Sequence, residues 1–278
     1  MSIMTTSQTV ATPRKHADWP FYTGLLILGG VYIVLIVAML AAEVAYVSPD
    51  DFLGALASEK IRYAIRLSLV SCSITTILSL WVAVPLGYLM ARHRFPGKWL
   101  IDALLDIPIV LPPLVIGLAL LLLFQTRAGR AFEENVMPVT FAVPSVILAQ
   151  FAVAAAFAVR AMRVTFDQID PRQEQVALTL GCTRGQAFWL VALPQARRGL
   201  VTAATLSWAR ALGEFGPVLV FSGATRMRTE VLPTTVFLEL SSSKVEAAVA
   251  VSLLMVLAAA IVLVIVRLFG IENPAARI

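Results

Sequence analysis

Long apolar runs separated by short polar stretches set the pattern of the chain. The apolar runs are Phe21 to Ala45, Ile61 to Ala91, Leu105 to Phe124, Val139 to Val159, Gly199 to Phe221 and Val245 to Phe269. Each reaches or exceeds the roughly 20 residues that an α-helix needs to cross the hydrocarbon core of a bilayer. The pattern predicts an all-α polytopic membrane protein with six transmembrane helices over residues 21–269. Polar tails over 1–20 and 270–278 flank it. The first run is longer than the roughly 7–15 apolar residues of a secretory signal and is read as a retained span. Tyr46 to Lys60, Gln125 to Pro138 and Ser222 to Ser243 are expected as loops on one side of the membrane.

Several runs are interrupted in ways lipid does not tolerate lightly. The second carries Ser68, Ser71, Ser73, Thr75, Thr76 and Ser79, residues that permit close helix contact or line a polar path. Pro85 and Gly87 mark an expected kink in it. The third contains Pro108, Pro112, Pro113 and Gly117. Prolines there leave carbonyls unpaired, which is tolerated only against protein or a water-filled cavity. Pro112, Pro113 and Gly117 are therefore candidates for the translocation path or its gate, beside the plainer reading of a kink. The fifth carries Arg210 and Glu214 one turn apart, with Gly213 and Gly216 beside them. Charges within a span mark function or a specific pair, so these four residues join the candidate path. A self-paired bridge between Arg210 and Glu214 is the alternative to contact with a transported solute.

Composition agrees. Apolar residues make up 59% of the 278 and charged ones 14%, with mean hydropathy +0.85; soluble domains carry about 45–50% and about 25%. With the amino terminus inside, Arg14, Lys15, Arg92, Arg94, Lys98, Arg160, Arg163, Arg172, Arg184, Arg197, Arg198, Arg267 and Arg277 fall in the cytoplasm. Fewer cations fall outside, partly balanced by Asp50, Asp51, Glu59, Glu133, Glu134 and Glu230. This positive-inside pattern predicts both termini in the cytoplasm and assigns the net charge of +5 to membrane topology, with no nucleic-acid partner. Cys72 and Cys182 have no metal or redox spacing. No phosphate loop G-x-x-x-x-G-K-[ST] occurs, nor any Ser/His, His-Glu-x-x-His or paired intramembrane Asp constellation. His16 and His93 lie outside the spans. The expectation is a chain with no catalytic residue, no metal and no cofactor of its own.

Between the fourth and fifth runs, residues 164–198 contain a polar segment with its own punctuation. Asp170 is an expected N-cap, Pro171 suits the first helical position and Gln173 closes a capping box. Val176, Ala177 and Leu180 are expected on one face, and Gly181 supplies the left-handed residue that ends the helix. Thr183 and Gln186 repeat the capping pattern before a second helix with Ala187, Phe188 and Val191 as its apolar face, up to Pro194. Two short helices around a glycine also suit a DNA-binding unit, but apolar spans on both sides leave no soluble domain to carry one.

In spacing, this segment resembles the coupling motif of membrane subunits of ATP-binding-cassette (ABC) importers: Glu-Ala-Ala, three residues, Gly, nine residues, an aliphatic, one residue, Leu-Pro. Ala177, Gly181, Val191, Leu193 and Pro194 fall on it in register, while Gln175 and Val176 occupy the Glu and first Ala positions and Glu174 sits alongside. The resemblance implies that Glu174, Gln175, Ala177, Gly181, Val191, Leu193 and Pro194 belong to a cytoplasmic foot that docks in a groove of a separate ATPase. ATP and Mg would then be bound by that partner.

A finer likeness covers Ile61 to Phe269. Phe95-Pro-Gly with the run from Asp102 to Gly117 is similar to the oxyanion importers, above all the molybdate permease subunits. So are Trp208-Ala-Arg210-Ala-Leu-Gly213-Glu214-Phe215-Gly216, Phe221-Ser-Gly223 and Arg228-Thr-Glu-Val-Leu-Pro233. Pro217 stands where that branch commonly has Ala. The resemblance implies a homodimer of this subunit in the bacterial or archaeal cytoplasmic membrane. It also implies two copies of the ATPase and a periplasmic or lipid-anchored binding protein. Arg226 and Arg228, on the outer side, are candidates for docking that protein or receiving an anion. A sulfate, tungstate or other solute importer, or a transporter or channel working without ATP, are the alternatives.

Overall fold

In the computed structural model, residues 19–270 are described. Residues 1–18 and 271–278, and with them Arg14, Lys15 and Arg277, lie outside the described residues. Among the described residues the structure is helical, with no strand. Two units form by contact, one ending at Tyr46 and one beginning at Val47. The first holds α1 (Trp19–Tyr46), an apolar helix with acidic Glu43 near its end.

The second unit is a bundle built around α7 (Val143–Gln168). Against it lies α3 (Glu59–Arg92), which runs through Pro85 without ending there. Small residues bring these helices together: Ala83, Ala154 and Ala158 are fully buried, and a Cβ added to Gly87 would stand 2.8 Å from the Met162 Cβ. Such close backbone approach is how helices gain packing in lipid, where burial of apolar surface offers little between them. Five of the six hydroxyls noted on the second run are buried, while Ser73 is exposed and donates back to the Leu69 carbonyl. Thr75 donates to Gln150 Oε1 of α7 at 3.1 Å, and Ser68 Oγ accepts the Leu232 N–H at 2.8 Å. Most of these hydroxyls therefore lie in helix contacts.

Among the described residues, four helices are long and apolar enough to cross a membrane: Phe21–Tyr46 in α1, α3, α7 and the segment Val245–Val264 of α14 (Val245–Gly270). The expected third span is a bent pair, α4 (Lys98–Val110) and α5 (Pro113–Gln125), turned by 111° at Leu111-Pro112. Pro108 sits inside α4 without breaking it, so the break belongs to the Pro112-Pro113 pair. The expected fifth span is divided too, into α11 (Arg197–Leu212) and α12 (Gly216–Ser222). Gly213 to Phe215 interrupt it, and with Arg210 in its last turn α11 is not a continuous apolar span. Among the described residues, the six expected spans are thus four long apolar helices, the bent pair α4–α5 at the expected proline break and, in place of the fifth, the two shorter helices α11 and α12.

The three expected loops also contain helices. Pro49–Ala57 forms α2, with Ser48 as N-cap accepting the Asp51 N–H. Arg127–Asn135 forms α6, capped by Thr126. Leu232–Ser241 forms α13, whose Leu232, Thr234, Thr235 and Glu239 are buried as it packs on α14 and α3. Burial supports α13, while α2 and α6, with one buried residue and none, rest on their Ser48 and Thr126 caps; sequence pattern alone read all three as connections.

Candidate functional site

The polar segment folds as a foot at the end of the bundle where α3 and α7 finish. Asp170 Oδ1 accepts the Arg172 N–H at 2.9 Å, opening α8 (Arg172–Thr179). Gly181 closes it in the left-handed region at φ 92°, and Cys182 N–H returns to the Ala177 carbonyl. Thr183 and Gln186 make a reciprocal capping box at the start of α9 (Arg184–Ala187). The helix then widens into a π-turn, Phe188–Ala192, with Leu193 N–H on the Phe188 carbonyl, before the short α10 (Leu193–Gln195). Pro194 has no N–H and its ring crowds the carbonyl four residues back, so a local widening lets the helix continue through it.

The foot has two faces. Inward, Ala177 and Ala187 are buried, and Glu174 is 7% exposed. The Glu174 carboxylate accepts Tyr88 Oη at 2.5 Å and Arg92 Nε at 2.8 Å, both from the last turns of α3. Outward lie Gln175, Val176, Leu180 (80% exposed), Trp189 (65% exposed) and Leu190. Val176 and Leu180 are therefore not on the face of Ala177 as expected, because α8 turns its acid, not its aliphatics, toward the bundle. Val191 and Leu193 are half-buried, and Pro194 is exposed. Leu190, Val191, Pro194, Gln195, Arg197 and Arg198 line an open hollow of about 480 Å³.

Further into the bundle, the two helix breaks meet. A Cβ on Gly216 would stand 3.0 Å from the Pro113 Cβ and 3.1 Å from the Leu114 N, and one on Gly117 2.8 Å from the Pro217 Cα. Pro113, Gly117 and Gly216 are thus brought together, with Pro112 adjoining and Pro217 added to them. Pro217 was noted in the sequence only as a departure from a branch pattern. Arg210 and Glu214 pair at 2.6 Å beside the second break, an ion pair without hydrogen-bond alignment. Glu214 is buried while Arg210 is partly exposed and lies over the Phe157 ring at 5.7 Å. Gly213 ends α11 between them with φ −83°, a conformation open to any residue.

At the opposite end, Arg226 is turned inward. It bridges Glu230 at 2.9 Å and Glu239 at 2.7 Å, and both carboxylates are buried. Thr235 adds a hydrogen bond to Glu230. Arg226 is committed to this bridge, whereas Arg228 is exposed, its backbone carbonyl accepting Tyr63 Oη. Among the described residues no cluster of His, Cys, Asp and Glu is arranged to hold a metal. The sequence reading missed Tyr88 and the inward role of Arg92. Their i, i+4 spacing puts them on one face, but only the fold shows that Glu174 lies opposite.

Residues 83–271 match the family described as binding-protein-dependent transport system inner membrane component. The chain belongs to that family. It is 32% identical over 247 residues to the sulfate transport system permease protein CysW of Synechocystis sp., with 87% of this chain and 90% of the relative covered. To the molybdenum transport system permease protein ModB of Mycobacterium tuberculosis it is also 32% identical, with 88% and 92% covered. The fold is that of a chain in the crystal structure of a bacterial alginate ABC transporter in complex with alginate pentasaccharide-bound periplasmic protein. There the TM-score is 0.72 at 17% identity, over 91% of this chain and 93% of that one. This family member is a multi-pass membrane protein, and its foot lies within the matched region.

Proposed function

We propose that the chain is the permease subunit of an ABC importer for a tetrahedral oxyanion, powered by ATP hydrolysis in a separate ATPase subunit. The observation that carries this reading is the foot: a capped helix pair, set by Gly181, that presents an apolar edge of Val176, Leu180, Trp189 and Leu190 away from the bundle. An apolar edge outside the spans suits a protein partner. Two copies of the chain, two ATPase subunits and a periplasmic or lipid-anchored binding protein make up the assembly, with both termini in the cytoplasm. Closure of the ATPase pair moves the foot, the helices rock as rigid bodies, and a path beside the paired breaks opens outward.

Two features support an anionic cargo. The start of α5 places the positive end of a helix dipole at the break, and Arg210 in the last turn of α11 is partly exposed. Molybdate is the cargo we propose, from the likeness around Asp102 to Gly117 and Gly213 to Gly216. Sulfate is the second reading, because the relative named for sulfate is as similar as the one named for molybdenum.

The test is ATP hydrolysis by the complex reconstituted with its binding protein. Stimulation by molybdate or tungstate with sulfate inert supports the first reading, and stimulation by sulfate alone moves the cargo. A chain that captures no ATPase overturns the importer.

A further inference from the structure

We propose that Tyr88 and Arg92 clamp Glu174 so that movement of the foot passes directly into α3 and α7, which makes both of them positioning residues for coupling. The proposal rests on the reading of the foot as the ATPase-docking element, and it assigns Glu174 to the bundle instead of to the partner.

Tyr88 and Arg92 stand one turn apart on α3 and reach different oxygens of one carboxylate: Tyr88 Oη donates to Oε2 and Arg92 Nε to Oε1. Arg92 Nη1 also donates to the Phe166 carbonyl at 2.8 Å, in the last turn of α7. One guanidinium therefore ties α3, α7 and α8 together. The Tyr88 ring meets Phe166 and Phe188 edge-on, with centroids 5.3 and 4.8 Å away, so the π-turn beyond α9 is held by the same residue. Both halves of the foot are gripped by α3.

The linkage resists slipping for electrostatic reasons. Arg92 and Glu174 side chains are each only 10% exposed, so solvent and salt screen the pair weakly, and hydrogen bonds between ionised groups are the strong kind. Arg92 Nη2 is already buried without a partner. If α8 withdrew alone, Arg92 would keep only the Phe166 carbonyl, and a buried charge would lose its counterion. A displacement of α8 and α3 together avoids that loss. The outward edge of the same helix carries Val176 and Leu180, so α8 has one face for a partner and one for the bundle.

The variants are Tyr88→Phe, which keeps the three rings, and Arg92→Gln, each in the complete complex in vesicles. Uptake per ATP hydrolysed is measured per assembled complex, so that lower yield does not imitate the effect. We expect the ATPase to copurify with both variants and uptake per ATP to fall by about 3- to 30-fold. In the double variant it falls no further than in the stronger single one, because both remove the same linkage. Unchanged uptake per ATP in both variants overturns the clamp while leaving the importer standing. Full additivity in the double variant overturns the shared linkage. A wild-type chain that binds no ATPase removes the foot's role itself, and the clamp with it.

Discussion

Gly117 and Pro217 belong to different broken helices, yet they lie so close that a Cβ on Gly117 would stand 2.8 Å from the Pro217 Cα. The obstacle is backbone, with the Pro217 carbonyl oxygen at 3.0 Å and the Val220 Cβ at 3.1 Å, so no flexible side chain can yield. Gly117→Ala should therefore push α5 from α12 at a cost of about 1–3 kcal/mol, the usual penalty of overpacking. Thermal unfolding of the detergent-solubilised protein measures the loss. An unchanged midpoint would show that the two breaks are not locked together.

The Arg226 bridge leads to a second expectation. Removing Arg226 leaves Glu230 and Glu239 buried without their cation, and breaking such a pair costs about 3–5 kcal/mol. Arg226 is partly exposed, which sets Arg226→Ala at the low end of that range. Arg228→Ala, at an exposed position, should stay within about 0.5 kcal/mol. Equal destabilisation by the two variants, in the same unfolding assay, would contradict the inward bridge.

Glu133 supplies a pH-dependent contact outside the spans. Its carboxylate accepts the Thr140 N–H at 2.5 Å and the Val139 N–H at 3.1 Å, and the Thr140 bond holds its pKa below the ordinary value. Because the folded pKa is depressed, the contribution is present above the unfolded pKa and fades as pH falls through the folded one. Hydrogen exchange at Val139 and Thr140, corrected for the intrinsic pH dependence, should show protection that declines on acidification in the wild type. In Glu133→Gln the protection should be insensitive to acid. Equal pH dependence in both proteins would rule out Glu133 as the cause.

What the sequence disclosed follows the range of the interactions involved. The Thr183–Gln186 box and the left-handed Gly181 depend on residues three or four apart, so residue type announces them. The Pro112-Pro113 break was legible for the same reason. α2 and α13 went unread because both are short and lie in stretches expected as loops, and α13 is held by burial against α14 and α3. Phe215-Gly216-Pro217 announced a break that the apolar character of the run concealed. The inward turns of Glu174 and Arg226 depend on partners brought by the fold: α3 ends 82 residues before Glu174 along the pair to Arg92, and Arg226, in the turn before α13, reaches Glu239 near the far end of that helix. No local pattern encodes such a meeting.

Gly181 has a cost that is conformational only. Nothing lies within 4 Å of a Cβ built on it, yet its φ is 92°. A β-branched residue is strained there, and Asn visits the left-handed region more readily. Gly181→Val should reduce uptake per ATP hydrolysed while the protein still folds, and Gly181→Asn should be milder. Transport by vesicles bearing each variant gives the order, and full transport by Gly181→Val would dismiss the turn as a coupling element.

The outward edge of the foot gives the last expectation. Trp189 and Leu180 are large apolar side chains left 65% and 80% exposed at the end of the bundle where α3 and α7 finish. In protein interfaces a few buried aromatics dominate the affinity, each worth about 2 kcal/mol or more, or roughly thirtyfold in binding. Trp189→Ala should therefore weaken capture of the ATPase by about that factor, and Leu180→Ala less, since Leu is seldom such an anchor. Neither change touches Glu174 or its partners, so stability of the isolated subunit should hold, because truncating an exposed side chain removes little packing. Titration of the purified ATPase onto the variants reads the affinity. Wild-type capture by Trp189→Ala together with Leu180→Ala would place the contact elsewhere on the foot, at Gln175 or along the hollow beside Pro194.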